Sequence, residues 1–339
     1  MNRLLILTLC LLATGAQFGL AKNSDVKKFC LFEVNGVKRF GLIKGDRVLE
    51  LEGNIYGSKG YNKTKTEWRK EDVSFFMPYG RWIGEDDLKW VPTAKIYCIA
   101  DNYGPINRSQ SKTKRDALKK PAFAKANEIP IPFLKHPSSL IGYGGTILLP
   151  DSARKPHSQA EMVVIIRKEA RKVSVDDALK YVLGVSCGND ITLSRGNRNW
   201  AVPNEKVILT HDSDWSQGEL AWAQAKSFET FGPIGPNIVS GLNYDNLEIK
   251  MWDNDKLRQH DNTKNMRYSV AEIVSYLSLH TTLQPGDMIF TGTPGQRIKG
   301  SSGKKSTGRS DNSTLKEGHN IKIMIEGVGV LKNPVAQIR

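Results

Sequence analysis

The chain has 339 residues, of which 39% are hydrophobic and 25% are charged, a composition that fits one large globular domain or two smaller ones. Its formal net charge of +14 suits contact with anionic surfaces, cell-wall polymers or nucleic acid, but it does not bear on the fold. Beyond residue 21 the cysteines are Cys30, Cys98 and Cys187, whose spacing excludes a disulfide framework and a zinc motif, while one disulfide bond or three buried thiols both stay open.

The first 21 residues have the pattern of a secretion signal. Arg3 supplies the positive start, residues 4–13 form an apolar core, and Gly19-Leu20-Ala21 is a small-x-small cleavage site. We therefore expect cleavage near Lys22 and an exported protein, periplasmic or extracellular; the alternatives are an uncleaved anchor and a buried N-terminal helix. The apolar run is too short to span a bilayer and no later stretch is long enough, so we expect no transmembrane segment after cleavage.

Residues 28–52 predict a small antiparallel sheet. Apolar and polar residues alternate there, and the pairs Asn35-Gly36 and Gly45-Asp46 are signals for hairpin turns. A polar connector that contains Lys and Trp follows to about Pro92. We therefore predict that residues 22–93 form a small N-terminal β domain and its connector.

Residues 94–339 are predicted to form a second, larger domain. Its strand candidates are residues 94–100, 146–150, 162–167, 181–187, 207–211, 288–292 and 320–331, with a short final strand after them. Two helices are predicted: a short one over residues 175–180, capped by Ser174, and an amphipathic one from Val270 to about residue 281, capped by Ser269. Strands outnumber helices without regular βαβ alternation, which predicts an α+β, β-rich fold.

The stretch PHSQAEMVVII, residues 156–166, joins two polar side chains to an apolar run. Residues 162–166 predict a buried strand, and Gln159 and Glu161 lie two apart just before it. Side chains two apart in a strand point to the same face, so this pair could grip a divalent cation. However, the first position is a neutral amide, and the spacing alone leaves open a metal site, a weakened metal site or neither.

Six stretches from about Lys95 onward resemble the fumarylacetoacetate hydrolase family, in that family's order. They are IADNYGP (99–105), PIPFLKHPSSLIGYGGTILLP (130–150), QAEMVVIIRKEARKVSVDDALKYVLGVSCGNDIT (159–192), AKSFETFGPIGPNIV (225–239), RQHDNTKNMRYSVAEIVSYLSLHTTLQPGDMIFTGTP (258–294) and LKEGHNIKIMIEGVGVLKNP (315–334). The resemblance covers most of the mature chain. It implies a mixed β-sandwich roll, here preceded by the small N-terminal β domain, and a homodimer.

The resemblance also implies a chemistry. Members of the family cleave or rearrange 1,3-dicarbonyl compounds or 2-oxo acids, and a Mg²⁺ or Mn²⁺ ion chelates the substrate and stabilises an enolate. Carried over residue by residue, the implied metal ligands are Gln159, Glu161, Asp190 and Thr230, and the implied catalytic residue is Lys226. The implied substrate-binding residues are Tyr103, Lys135, Arg195 and Thr293. With an amide in place of one carboxylate, we expect weak metal binding.

The sequence departs from the family where water is activated. Hydrolytic members often carry a His and a Glu at the positions of Ile106 and Ser109, and an alkyl side chain cannot accept a proton. The family's Arg-Asp-x-Gln motif is displaced as well, because Arg195 is shifted by one and Asn197 or Arg198 stands where the Gln would be. The chelating side of the predicted pocket is thus weakened, whereas its water-activating side is altered.

Three hypotheses follow. The first is an exported, metal-dependent enzyme on a small oxo acid, either a hydrolase with a replacement base, such as His157 or a residue of 107–128, or a lyase, decarboxylase or tautomerase. The second is a catalytically impaired binding module. The third is a polyanion binder that uses the basic stretches 107–128 and 297–312, which we predict to be loops. These stretches lack interleaved aromatic residues, so we do not expect a nucleic-acid partner.

Overall fold

The structure of the protein is a computed structural model, which describes residues 26–56, 59–77, 81–83, 89–91, 94–103, 129–150, 156–193, 225–294 and 314–338. Several predictions lie outside these residues: the signal at 1–21, the strand at 207–211, the two basic loops, and the roles given to Ile106, Ser109, Arg195, Asn197 and Arg198. No helix in the described part of the chain is long and apolar enough to cross a bilayer.

Strands dominate the described residues. In chain order they are β1 (Lys27–Val34), β2 (Val37–Lys44), β3 (Arg47–Gly53), β4 (Tyr61–Arg69), β5 (Ser74–Phe76), β6 (Arg81–Ile83), β7 (Lys89–Val91), β8 (Ile96–Ala100), β9 (Ile131–Lys135), β10 (Leu140–Ile141), β11 (Ile147–Leu149), β12 (Pro156–His157), β13 (Ala160–Ile166), β14 (Val182–Asn189), β15 (Thr192–Leu193), β16 (Gly232–Ser240), β17 (Glu248–Asp253), β18 (Lys256–Asn262), β19 (Met288–Phe290), β20 (Asn320–Ile325) and β21 (Gly329–Gln337). The α-helices are α1 (Val175–Ala178) and α2 (Val270–His280).

A 12-stranded mixed sheet runs through the molecule in the order β4-β3-β2-β1-β16-β14-β13-β19-β8-β9, with β5 beside β1 and β10 beside β16. β1 joins β16 antiparallel, so that Lys27 lies opposite Ser240 and Phe29 opposite Ile238. The N-terminal strands therefore extend the same sheet that contains β13 and β14. The division at residues 93 and 94 stays a prediction.

A second sheet of five strands has the order β11-β21-β20-β17-β18, and two short ladders join β12 to β15 and β6 to β7. Together with the short helices, these sheets confirm the predicted α+β, β-rich class. Both helix caps are also confirmed: the Ser174 side chain accepts from Asp177 N–H, and Ser269 forms a capping box with Glu272.

The apolar run of β13 is buried on both faces of the large sheet. Met162, Val164 and Ile166 pack in the core shared with α2 and the second sheet. Val163 and Ile165 pack in a separate core formed with the N-terminal strands. An apolar residue is therefore required at every position, and the polar pair of the motif can stand only at the beginning of the strand.

Two predictions of the secondary structure are wrong. The polar connector before Pro92 contains β4 to β7; β4 escapes the apolar pattern because it lies at the sheet edge and most of its side chains are exposed. The predicted single strand at 320–331 is a hairpin instead, since Gly327 adopts a positive φ of 72° in the turn between β20 and β21. Of the two alternatives for the cysteines, three buried thiols are confirmed, because Cys30, Cys98 and Cys187 are all buried and free.

Candidate active site

The polar ends of two neighbouring strands form the candidate site. Gln159 precedes β13, Asp190 follows β14, and Ala160 lies opposite Asn189 in this antiparallel pair. The Asp190 N–H donates to the Gln159 carbonyl at 2.9 Å, and the Asn189 side chain accepts from the Gln159 N–H at 3.0 Å. This register brings Gln159, Glu161 and Asp190 to one end of the strand pair.

The Lys226 ammonium lies among the oxygens of this cluster. It donates to the Asp190 carboxylate, to Gln159 Oε1 at 2.9 Å and to Thr192 Oγ1 at 2.6 Å. Its nitrogen also lies 5.1 Å from the centre of the Phe133 ring. The Lys226 side chain keeps 11% exposure, so its cationic end lies at the boundary between the buried cluster and solvent.

Lys135 supplies a second cation beneath the first. Its ammonium donates to the Lys226 carbonyl and to the Phe231 carbonyl at 2.9 Å, and it lies 3.0 Å from Asp190 Oδ1. Its side chain has no exposure, so all three contacts are made inside the protein. Here Lys135 supports Asp190 and the Lys226 backbone from inside the protein, and its role as a substrate-binding residue stays a prediction.

The two buried carboxylates have opposite electrostatic environments. Burial opposes ionisation of Asp190, but Lys226 and Lys135 together outweigh it and hold the pKa of Asp190 below its usual range. Burial and the nearby charge of Asp190 raise the pKa of Glu161 well above its usual range, against weaker opposition from Lys226. Asp190 is thus stabilised as an anion, whereas Glu161 lacks a full counter-charge.

Glu161 is held by the turn after β19. Its Oε2 accepts from the Gly292 N–H at 2.8 Å. Gly292 has a φ of 95°, and a Cβ there would lie 2.9 Å from the Ile99 carbonyl oxygen, so only glycine fits. The Gly-Thr-Pro turn therefore serves to place a backbone donor on the carboxylate and to bring Thr293 next to it in the chain.

The other predicted residues are placed differently. Tyr103 is buried at 5% exposure, its hydroxyl has no hydrogen-bond partner among the described residues, and burial raises its pKa, with smaller contributions from Asp261 and Glu161. Thr293 is half-buried, and its Oγ1 accepts from Gln259. Thr230 is not brought into the cluster, because its Oγ1 accepts from Leu148 N–H at 2.8 Å and donates to the Glu229 carbonyl.

Two residues of the cluster were missed from the sequence. Thr192 donates to Gln159 Oε1 at 3.1 Å and accepts from Lys226, so it joins the amide to the ammonium. Gln259 is fully buried and bonds to the backbone of Ala160 and to the Gly-Thr-Pro turn. The position of Thr192, two residues beyond Asp190, was a usable signal; Gln259 in the alternating strand β18 gave none.

The donor set fits a divalent metal ion. Gln159, Glu161 and Asp190 offer side-chain oxygen atoms, which Mg²⁺ and Mn²⁺ prefer, and the Lys226 ammonium shows that positive charge is stabilised between Gln159 and Asp190. No group of three or more His, Cys, Asp or Glu side chains within the described ranges is placed to hold a metal. The Gln159 amide would therefore complete the set, and the ion would compete with Lys226 for the same oxygens.

Comparison with known proteins matches this chain to one family. The family model for the C-terminal region of fumarylacetoacetate (FAA) hydrolase matches residues 95–336. The fumarylacetoacetate hydrolase domain-containing protein 2 homolog of Dictyostelium discoideum is 34% identical over 256 residues, which is 72% of each chain. The mitochondrial oxaloacetate tautomerase Fahd2a of Rattus norvegicus is 27% identical over 246 residues, or 71% of this chain and 66% of that one.

Solved structures agree. The 2-hydroxyhepta-2,4-diene-1,7-dioate isomerase from Mycobacterium marinum superposes with a TM-score of 0.65 and 25% identity, over 92% of this chain and 98% of that one. The maleylpyruvate hydrolase from Sphingobium sp. SYK-6, in complex with manganese(II) and pyruvate, superposes with a TM-score of 0.60 and 23% identity, over 92% and 100%. The chain belongs to the fumarylacetoacetate hydrolase family, and the proteins it resembles include a tautomerase and an isomerase.

Proposed function

We propose that the protein is a divalent-metal-dependent enzyme that interconverts or cleaves a small 2-oxo acid or 1,3-dicarbonyl compound through an enolate, with tautomerisation as its principal reaction. The observation that carries this proposal is the Lys226 ammonium, held against Asp190, Gln159 and Thr192 at the solvent boundary of the cluster. An ammonium in this position can stabilise the negative charge that develops on a carbonyl oxygen. The related tautomerase and isomerase support the same reaction class.

The side chains of the cluster stabilise the negative charge that develops on the substrate oxygen. Bound by Gln159, Glu161 and Asp190, Mg²⁺ or Mn²⁺ would supply Lewis-acid stabilisation of an enolate oxygen. Asp190 keeps Lys226 in place, and Lys135 helps to keep Asp190 ionised. The three protons of the Lys226 ammonium go to Asp190, Gln159 and Thr192, so Lys226 exchanges the bond to a neutral partner, Gln159 or Thr192, for one to the substrate oxygen as the proton leaves the adjacent carbon.

His157 is the proposed proton acceptor. It lies directly opposite Thr192 in the β12–β15 ladder, and opposed residues of an antiparallel pair project to the same face. Thr192 contacts Lys226, so this register brings the imidazole to the same side of the ladder as the ammonium. Neutral imidazole is a suitable base near pH 7, and tautomerisation needs no attacking water.

Hydrolysis is the less favoured form of the proposal. It needs a base that activates water, and the positions where hydrolytic members often carry His and Glu are Ile106 and Ser109 here. Tautomerisation requires only a stabilised oxyanion and a base that takes the proton from carbon and returns it to the enolate oxygen. We therefore expect keto–enol conversion of oxaloacetate to exceed pyruvate release from it and cleavage of an acylpyruvate.

The test follows these three reactions by absorbance and product analysis with purified protein and Mg²⁺ or Mn²⁺. Lys226→Met should slow tautomerisation about 100-fold or more, and His157→Asn should slow it about as much. Lys250→Met, which removes a lysine paired with Glu248 on the second sheet, is the matched control and should keep the wild-type rate. No rate above the metal-only blank would refute the enzyme, and an unchanged rate in Lys226→Met would refute the role of Lys226.

A second candidate is a binding module that has lost catalysis. It is favoured by the charge balance of the cluster, in which two carboxylates, Glu161 and Asp190, face two ammonium groups, Lys226 and Lys135. Because these formal charges cancel, the cluster has less need of a metal ion to compensate its carboxylates. Calorimetry that shows neither Mg²⁺ nor Mn²⁺ binding, together with no turnover, would support this candidate.

We also propose that the protein is exported and that it forms a homodimer. Arg3 and the apolar residues after it support export. N-terminal sequencing of the secreted protein should begin near Lys22, and light scattering should give the mass of a dimer. Retention of residues 1–21 or a monomer mass would contradict them.

A further inference from the structure

Gln259 joins the strand that carries the site to the turn after β19. Its Oε1 accepts from the Ala160 N–H at 2.9 Å, and its Nε2 donates to the Pro294 carbonyl at 3.0 Å and to Thr293 Oγ1 at 3.0 Å. The side chain is fully buried. A backbone N–H can only donate and a backbone carbonyl can only accept, so these two partners fix which end of the amide is oxygen.

This orientation determines what Thr293 can do. Both N–H groups of the amide are used, one on Pro294 and the other on the Thr293 hydroxyl. The hydroxyl oxygen is therefore an acceptor towards Gln259, and its single proton must point elsewhere. No described residue accepts that proton, and Thr293 is only half-buried.

The surroundings indicate what the proton is directed to. Gly292, the preceding residue, donates its N–H to Glu161, which places the Thr293 turn at the carboxylate cluster. The buried Tyr103 hydroxyl, which also has no partner among the described residues, is influenced by the charge of the same Glu161. Free hydroxyl donors beside a cluster that contains the Lys226 ammonium suit a ligand that brings anionic oxygen atoms.

We propose that Gln259 is a positioning residue that holds the Thr293 hydroxyl as a hydrogen-bond donor for a carboxylate of the ligand. The inference rests on the proposed function for its ligand class, a small oxo-acid anion. Gln259 does not touch the ligand; it fixes the direction of the one proton that does. It also ties the Ala160 backbone, between Gln159 and Glu161, to the same turn.

The experiment is a double-mutant cycle on oxalate binding, measured by calorimetry at fixed Mg²⁺ with the protein-free blank subtracted. Thr293→Val and Gln259→Met should each weaken oxalate binding about tenfold. The double variant should bind no more weakly than either single variant, because a hydroxyl that is no longer directed contributes nothing further. A general loosening of the site would instead give additive losses.

Two further variants serve as an alternative to Gln259→Met and as a control for lost stability. Gln259→Glu keeps an acceptor for Ala160 N–H, removes the amide N–H groups and should also weaken oxalate binding. It replaces Gln259→Met in the cycle if that variant fails to fold. Thr263→Val removes a buried hydroxyl that accepts from Leu247 N–H, and should keep oxalate affinity while lowering stability.

The outcomes separate this inference from the proposed function. Additive losses, wild-type affinity in the Gln259 variants, or no oxalate binding by the wild-type protein would overturn the inference, whether or not the wild type turns over oxaloacetate. Non-additive losses in a protein without turnover would support the inference and overturn the tautomerase.

Discussion

Two regions of the molecule pair a carboxylate with cationic side chains, one in the buried site and the other near the surface. In the site, the Asp190 carboxylate is paired with Lys226 and Lys135 at 1% side-chain exposure. On the second sheet, the Glu248 carboxylate accepts from Lys250 Nζ at 2.7 Å and is paired with His260 Nε2 at 2.8 Å, at 35% exposure. In both regions the partners hold the pKa of the acid below its usual range.

The difference lies in what each acid requires of its partners. Water screens Glu248, so the loss of a partner leaves a carboxylate that is still hydrated. Asp190 has exchanged its hydration for two ammonium groups, and the loss of either leaves a buried charge that is only partly compensated. A lowered pKa therefore accompanies an optional surface contact in one region and an obligatory arrangement in the other.

The largest expected effect tests this contrast directly. Lys135→Met should lower the free energy of unfolding by about 3–5 kcal/mol, because it removes a buried partner and leaves the Asp190 charge partly unpaired. Urea denaturation of the metal-free protein measures it, with Lys250→Met as the exposed counterpart. Equal losses of unfolding free energy in Lys135→Met and Lys250→Met would contradict the distinction between the two regions.

An intermediate effect of opposite sign is expected at Glu161. Its raised pKa means that folding disfavours the ionised form, and Gln can still accept from the Gly292 N–H. Glu161→Gln should therefore stabilise the metal-free protein by about 0.5–2 kcal/mol at pH 7 and abolish any stabilisation by Mn²⁺.

The pH dependence of this gain has a definite sign. The wild-type cost develops as pH rises above the unfolded-state pKa of Glu, about 4.3, so the advantage of Glu161→Gln should be small near pH 4 and grow towards neutrality. Thermal unfolding at several pH values measures this trend. Destabilisation by the variant at pH 7 would show that Glu161 is better compensated than its neighbours suggest.

The smallest effect is expected on the surface. Glu248→Gln should cost less than about 1 kcal/mol, and added salt should reduce the loss further. Since partners lower the pKa of Glu248, its contribution is present above about pH 4.3 and disappears as pH falls through the lower folded-state value. Urea unfolding at pH 7 and pH 3 measures both limits; a loss as large as that of Lys135→Met would contradict the comparison.

Sequence periodicity predicted the strands that are buried on both faces, but not the edge. Most residues of β8, β13 and β14 are apolar, whereas β4 alternates Lys, Thr and Glu because a strand at the edge has little core to face. The spacing of Gln159 and Glu161 likewise indicated a shared direction, because it depends only on local geometry.

The depth of each side chain could not be predicted in the same way. Lys135 looked like a pocket lysine in the sequence, yet its partners Asp190, Lys226 and Phe231 are contributed by other segments of the sheet. Thr192 and Gln259 also act through contacts that only the completed fold brings together. Pattern reasoning identifies residues that can do chemistry, but long-range packing decides which of them reach the ligand.

The pairing of β1 with β16 has a consequence for how the protein folds. Lys27 meets Ser240, and Glu161 receives its hydrogen bond from a residue 131 positions further along the chain. Contacts this distant require large loops to close before any of them stabilises the chain, which slows folding. We expect the site to be assembled late, only after residues up to Gly292 have joined the sheet, so partly synthesised chains would expose unpaired strand edges to aggregation or to chaperones.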